Sequence, residues 1–516
     1  MKRFISNSVA SASILLFLFS GISRLIGFVR EVVFASNFGL SNQYDNYLIA
    51  SVIPITINTI FLYIGQNFFI PSFIELKIRD NRRINLLLRT SVFYFLSFGI
   101  VIALLLYFLA PSILYLFHSN EKNSVEFCVQ LFRILVMTIP LSGVISILSA
   151  YLQAQKNYFI PAISSLMLNI IIVVVVMAVN NRIGVFSIVV GYVIGTVCQI
   201  IFLIFFTDLI KRFFYNTREK FEEQIKLFSS SIILIIIIES VGQLYSISDR
   251  LFVSHLKTGG IAAINYAQTI ISLPISIITL SLSTAIFPKF SSDYHSGLPA
   301  DLENGFKNAI SITLLIFIPI SILFHFMSTE IISLFYQRGV FNSHDTKTTK
   351  DVFLILNSGL VIYAVYSIFN KIFYSAKLIF ILFLITIMGI VVKIVSNILF
   401  VDYFDYEGLA LGTVTSYIFF FLSSIWVLSK KFNFNWIKKS LLDSVMILSN
   451  GLLTMLIINF MISEFYFDFW INTVMKLCIF ITIFIVNLYL INFPILMILI
   501  EKLKSKYLSY IFNNKD

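Results

Sequence analysis

The sequence predicts an all-α polytopic membrane protein of about 14 transmembrane helices: two six-helix lobes around a central cavity, plus two C-terminal helices. Three observations predict it. The 516 residues are 58% hydrophobic and 12% charged, with a mean hydropathy of +0.93, which no soluble domain of this size matches. Apolar runs long enough to cross a hydrocarbon core of about 30 Å follow one another along the chain, and such runs span as helices because a helix satisfies its own backbone in lipid. The basic residues gather in the short connections between these runs.

Taken in order, span 1 (8–37) starts as the apolar run 9–19 and then carries Arg24 and Arg30. Span 2 (44–70) holds Pro54 and ends Phe69-Ile70-Pro71. Spans 3 to 6 cover 86–117, 126–154, 158–180 and 183–207, with Arg133 and Pro140 in the fourth. Span 7 (226–255) holds Glu239 and, near its outer end, Asp249-Arg250. Span 8 (261–288) holds Asn265-Tyr266 and Pro274 and ends Phe287-Pro288. Spans 9 to 12 cover 307–328, 351–377, 379–400 and 406–429, with Pro319 in the ninth and Lys393 in the eleventh. Spans 13 and 14 cover 441–463 and 469–499. Proline bends such helices by freeing a backbone carbonyl. The start Met1-Lys2-Arg3 looks like a signal peptide, but no small-residue cleavage site follows, so it reads as a retained first helix.

The positive-inside rule tests the map. With the N-terminus in the cytoplasm, 24 of the 37 basic residues fall in cytoplasmic segments, 6 in outer loops and 7 inside spans. Both termini are therefore predicted to be cytoplasmic. The net charge of +11 follows this loop pattern, which excludes nucleic acid as the partner. Cys128, Cys198 and Cys478 are far apart and form neither a metal spacing nor a disulfide framework.

A faint internal repeat runs through the chain. Pro71 matches Pro288 at an offset of 217, Asn46-Tyr47 matches Asn265-Tyr266 at 219, and Ala154 matches Ala376 at 222. This divides the chain into an N-terminal lobe (1–220, spans 1–6), a C-terminal lobe (221–435, spans 7–12), and spans 13–14 with the tail (436–516). Parallel repeats of this kind build transporters with a cavity between lobes.

Charges inside spans are the candidate functional groups. A central charge costs roughly 2.5–3.5 kcal/mol on insertion scales. Arginine stays protonated there, so it must face water, a partner or an anion. One arginine near a span end reads equally well as a snorkelling anchor. Two arginines six residues apart spread over nearly two turns and weaken that reading. Arg24, Arg30 and Arg250 are expected to line one cavity, where planar guanidinium forks suit phosphate. Asp249-Arg250 reads equally well as an ion pair. Glu239 and Lys393 form either a mutual ion pair or an ion-coupling site. No phosphate-binding loop, zinc motif or nucleophile–base cluster is present. Neither an enzyme nor a bound cofactor is expected.

The stretch Ser23-Arg24-Leu25-Ile26-Gly27-Phe28-Val29-Arg30-Glu31, with Ala35, Phe38-Gly39 and Asp45, resembles the S-R-x-x-G-F-x-R-[DE] opening of the lipid II flippase (MurJ/MviN) family, in the multidrug/oligosaccharidyl-lipid/polysaccharide exporter superfamily. Asn265-Tyr266-Ala267, Tyr336-Gln337-Arg338-Gly339-Val340-Phe341, Phe373-Tyr374-Ser375-Ala376 and Gly408-Leu409-Ala410-Leu411 add to the likeness. The resemblance implies a flippase moving the undecaprenyl-pyrophosphate-linked peptidoglycan precursor from inner to outer leaflet by alternating access. It implies Arg24 and Arg30 on the pyrophosphate, with Asp45 as a further family position. Where the family carries arginines in spans 2 and 8, this chain has Asn58 and Thr269. The expected substrate-binding set is thus Arg24, Arg30, Asp45, Asn58, Arg250 and Thr269. The expected partners are a polyprenyl-pyrophosphate-linked saccharide, membrane lipid and cell-wall synthesis proteins. The alternatives are a flippase for another polyprenyl-linked saccharide, such as an O-antigen or exopolysaccharide precursor, and a drug/cation antiporter, which would favour acidic cavity residues.

Overall fold

A computed structural model describes residues 9–79, 83–117, 122–207, 241–245, 247–295, 299–432, 436–462, 469–498 and 500–501. Among them there are helices and connections and no strand. Eleven helices among the described residues are long and apolar enough to cross a membrane, or twelve if one bent pair is a single span. They fall on the predicted spans in order. Most of span 7, with Glu239, lies outside the described residues.

The helices are α1 (Val9–Phe38), α2 (Asn42–Ile64), α3 (Ile70–Arg79), α4 (Ile84–Tyr115), α5 (Lys122–Val136), α6 (Thr138–Ala154), α7 (Phe159–Ile183) and α8 (Phe186–Thr207). A 3-10 turn follows at Asp249–His255. Then come α9 (Gly260–His295), α10 (Pro299–Phe326), α11 (Ser328–Tyr336), α12 (Ser343–Ser358), α13 (Leu360–Ser375), α14 (Ile379–Phe404), α15 (Tyr406–Phe432), α16 (Trp436–Ile462) and α17 (Phe469–Leu490). Between α2 and α3 lies a π-turn, Gly65–Phe69. A π-turn accommodates one extra residue within a helix.

The chain forms two compact units. The first comprises Met1–Leu273, Phe335–Val352 and Thr386–Gly412. The second comprises Pro274–Leu334, Phe353–Ile385 and Thr413–Asp516. Within the first, α7 pairs with α8 and packs on α1, and α4 packs on α6. Close approach is bought by small residues there: a Cβ on Gly143 would sit 2.9 Å from the Phe95 carbonyl oxygen. Within the second unit, α10 packs on α13 and α16. Ser311 Oγ there donates to Asp443 Oδ2 (2.6 Å), and Lys476 pairs with Glu330 at 3.4 Å.

Backbone geometry repeats along the chain. Among the described residues, eight have positive φ. Six of them form pairs: Gly39 with Gly259, Lys156 with Lys377, and Gly184 with Asp405, at offsets of 220, 221 and 221. Lys156 and Lys377 end α6 and α13 with the same motif. Asn157 N–H donates to the Leu152 carbonyl (2.9 Å), as Leu378 does to Phe373 (2.8 Å). Lys156 N–H donates to Gln153 (2.8 Å), as Lys377 does to Tyr374 (3.2 Å). These are Schellman caps, a motif that normally takes glycine. Each is preceded by an interrupted span, at Met137 between α5 and α6 and at Gly359 between α12 and α13. The second interruption bends the helix by 46°.

Candidate functional site

The arginine pair separates into two environments, both in the first unit. Arg30 is held on three sides. Its Nη2 and Nε donate to Glu31 Oε1 (2.8 and 3.3 Å), and its Nη1 donates to Asn169 Oδ1 (3.0 Å) on α7 and Tyr192 Oη (2.9 Å) on α8. The rings of Phe34 and Tyr192 lie 5.6 and 5.7 Å from its guanidinium carbon. Four of the five guanidinium N–H groups are thus used by protein.

Glu31 is the hub of this network. Its Oε2 accepts from Tyr44 Oη (3.1 Å) on α2 and Asn265 Nδ2 (3.1 Å) on α9. Stacked rings continue it: Tyr44 on Phe38 (6.0 Å) and Tyr266 on Tyr44 (5.4 Å), with Tyr336 against Tyr266 at 5.0 Å. Tyr336 Oη donates to the Tyr266 carbonyl (3.2 Å), and Val340 N–H donates to the Ser36 carbonyl (3.0 Å). The turn at Gly339 requires glycine twice over: φ is +61°, and a Cβ there would strike the Ser36 carbonyl oxygen.

Asp45 is buried and caps α9: Oδ2 accepts from Gly259 N–H (2.5 Å) and Oδ1 from Ala262 N–H (2.7 Å). A carboxylate on the free N–H groups of a helix start is favourable for charge and geometry alike. Asn58 bridges α2 to α6: Nδ2 donates to Thr138 Oγ1 (3.0 Å), and Oδ1 accepts from Ser142 Oγ (2.7 Å). Thr269 donates to the Asn265 carbonyl of its own helix (2.7 Å).

Lys393 is fully buried, and its pairing is with Asp249. Nζ lies 2.9 Å from Asp249 Oδ2, donates to the Tyr245 carbonyl (3.0 Å) and sits 3.6 Å from the Tyr245 ring centroid. Asn397 Nδ2 donates to Asp249 Oδ1 (3.3 Å). Glu239 lies outside the described residues. Arg250 Nε is buried without a hydrogen-bond partner among the described residues, and Asp249 and Asp45 are the acidic groups acting on it.

Arg24 differs from all of these. Its side chain is exposed, and no hydrogen bond from it is made among the described residues. Tyr63 on α2 lies within its electrostatic reach. Sequence reasoning missed the Glu31 hub and the capping by Asp45. The signal for both was a carboxylate on a largely apolar span, but the partners on α9, Asn265 for Glu31 and the Gly259 and Ala262 N–H groups for Asp45, lie more than 200 residues away.

Comparison with known proteins gives a consistent result. The family model described as "Lipid II flippase MurJ" matches residues 34–502. The chain is 26% identical over 453 residues to a probable lipid II flippase of Borreliella burgdorferi, covering 87% of this chain and 88% of that one. It is 28% identical over 381 residues to a counterpart in Aquifex aeolicus, covering 72% and 73%. A solved lipid II flippase in an inward closed conformation shares the fold, with a TM-score of 0.77 at 24% identity over 92% of this chain and 97% of that one. An inward-facing multidrug resistance MATE family transporter of the MOP superfamily gives a TM-score of 0.62 at 16% identity, covering 81% and 99%.

Proposed function

The chain belongs to the lipid II flippase MurJ family, and from that membership we propose that it carries an undecaprenyl-pyrophosphate-linked peptidoglycan precursor from the inner to the outer leaflet. It is a multi-pass membrane transporter rather than an enzyme. In this reading it lies in the bacterial cytoplasmic membrane with both termini inside. The N-terminal and C-terminal lobes (1–220 and 221–435) give alternating access to the head group.

The observation that carries the site assignment is the exposed Arg24 guanidinium on a membrane-spanning helix, with no hydrogen bond among the described residues. A charge there cannot rest against hydrocarbon, so it faces water, and a planar fork facing water is ready for a phosphate. Arg30 adds positive potential and at most one free N–H, because protein acceptors hold the other four. Arg250, Asn58 and Thr269 complete the polar set, and Asp45 fixes the helix that carries Thr269. With no phosphate-binding loop in the sequence, the driving force is an ion gradient, the membrane potential or substrate flux.

A second reading, transport of a different polyprenyl-linked saccharide, draws on Asn58 and Thr269, which stand where the family carries arginine. One experiment separates the two. A bacterial host is depleted of its own lipid II flippase and supplied with this chain. Rescue of growth that is lost in Arg24→Ala, with expression unchanged, is the expected result. Rescue that survives Arg24→Ala overturns the phosphate role of that residue. Failure of the well-expressed parent chain to rescue overturns the substrate assignment in favour of the second reading.

A further inference from the structure

The π-turn Gly65–Phe69 carries two amide side chains, Gln66 and Asn67, on its exposed side. The opposite face is packed. Phe61, Ile64, Gly65, Phe68, Phe69 and Phe73 are buried. A Cβ on Gly65 would lie 2.8 Å from Ser146 Oγ on α6. Phe61, Ile64, Gly65, Phe68 and Phe69 stand at i, i+3, i+4, i+7 and i+8, the spacing that gathers an apolar stripe on one helix face. Gln66 and Asn67 are left on the other side beside Tyr63, the residue within electrostatic reach of Arg24. Asn67 Nδ2 donates to the Tyr63 carbonyl (3.0 Å), which leaves its Oδ1 to accept. Gln66 makes no hydrogen bond among the described residues. An amide turned toward hydrocarbon would be costly, which argues that this exposed face meets water.

We propose that Tyr63, Gln66 and Asn67 form a saccharide subsite next to the diphosphate position at Arg24, binding the hydroxyl and N-acetyl groups of the first sugars. This rests on the flippase reading above and adds the side of the head group that the π-turn contacts. Amides suit this role because each supplies donors and an acceptor in one plane, as sugar hydroxyls and acetamido groups require.

The test compares two ligands on the full chain in nanodiscs: the undecaprenyl-diphosphate disaccharide pentapeptide, and undecaprenyl diphosphate without sugar. The double variant Gln66→Ala/Asn67→Ala is expected to weaken the glycosylated lipid by roughly three- to tenfold per lost hydrogen bond and leave the bare diphosphate lipid unchanged. Arg24→Ala is expected to weaken both. A double variant that binds both lipids like the parent overturns the subsite, as does one that loses both equally with an unchanged melting temperature. A parent chain that binds neither lipid overturns the flippase reading itself. Gln66→Cys gives a check that does not depend on the amides' energetics. A charged methanethiosulfonate reagent should label it, and the glycosylated lipid should slow that labelling while the bare one does not. Absence of labelling would show that the face is dry and refute the proposal.

Discussion

Glu31→Ala tests whether the Arg30 network is structural. Glu31 accepts two hydrogen bonds from Arg30, one from Tyr44 and one from Asn265. Removing the carboxylate leaves a guanidinium with only the two neutral acceptors Asn169 and Tyr192. Losing one partner of a buried ion pair costs about 3–5 kcal/mol. The side chains of Arg30 and Glu31 retain 21% and 11% of their exposure, which argues for the lower end, about 3 kcal/mol. Thermal unfolding of the purified protein in detergent should then fall by several degrees. The decisive quantity is the coupling. In a double-mutant cycle with Arg30→Met, the double variant should be less unstable than the sum of the singles by about 1–3 kcal/mol, because the orphaned charge is gone. Additivity within about 0.5 kcal/mol would refute the pairing as a structural element.

Three further outcomes follow from the geometry. Lys156→Gly and Lys377→Gly should each stabilise the protein by up to about 1 kcal/mol, since both lysines sit at positive φ where glycine is unstrained. A fall in melting temperature for either would show that its side chain contributes more than the backbone costs. Lys393→Met should destabilise by about 3–5 kcal/mol by stranding Asp249, and Asp249→Asn in the same chain should restore part of the loss. No restoration in a melting series would argue against the pair. Gly339→Ala should cost about 2 kcal/mol or more, from positive φ and from the Ser36 carbonyl. Unchanged melting would mean that the 336–341 turn does not hold α1.

Much of the architecture was legible because a bilayer imposes a length on apolar runs and a charge bias on loops. Span ends from sequence and structure agree within a few residues in most cases, as at 159–183 against the predicted 158–180. The interruptions at Met137 and Gly359 were not legible, because the hydropathy of a bent span matches that of a straight one. The π-turn left no compositional mark either. In the site, Arg24 and Arg30 were legible as charges in apolar surroundings, but not their different fates. What separates them is where Asn169, Tyr192 and Glu31 come to lie, and Asn169 is 139 residues from Arg30 in sequence.

The repeated backbone features bear on how the second half should be read. Three pairs of positive-φ positions recur at 220–221 residues, although side chains at these offsets rarely match. The same arithmetic carries Arg30 onto Arg250. The surroundings have diverged. Arg30 has a carboxylate, an amide and a phenol on its guanidinium, whereas beside Arg250 it is Lys393 that takes Asp249. Backbone turns persist because a left-handed residue at a helix end has few alternatives. A polar cluster in a span has many, provided that its charges balance. In the first half a fixed arginine, Arg30, satisfies its own neighbours and leaves Arg24 exposed. In the second half an internal lysine neutralises the acid beside Arg250. Arg24 is therefore the residue whose replacement should remove anion binding while costing little stability. Replacement of Arg30 should cost stability first.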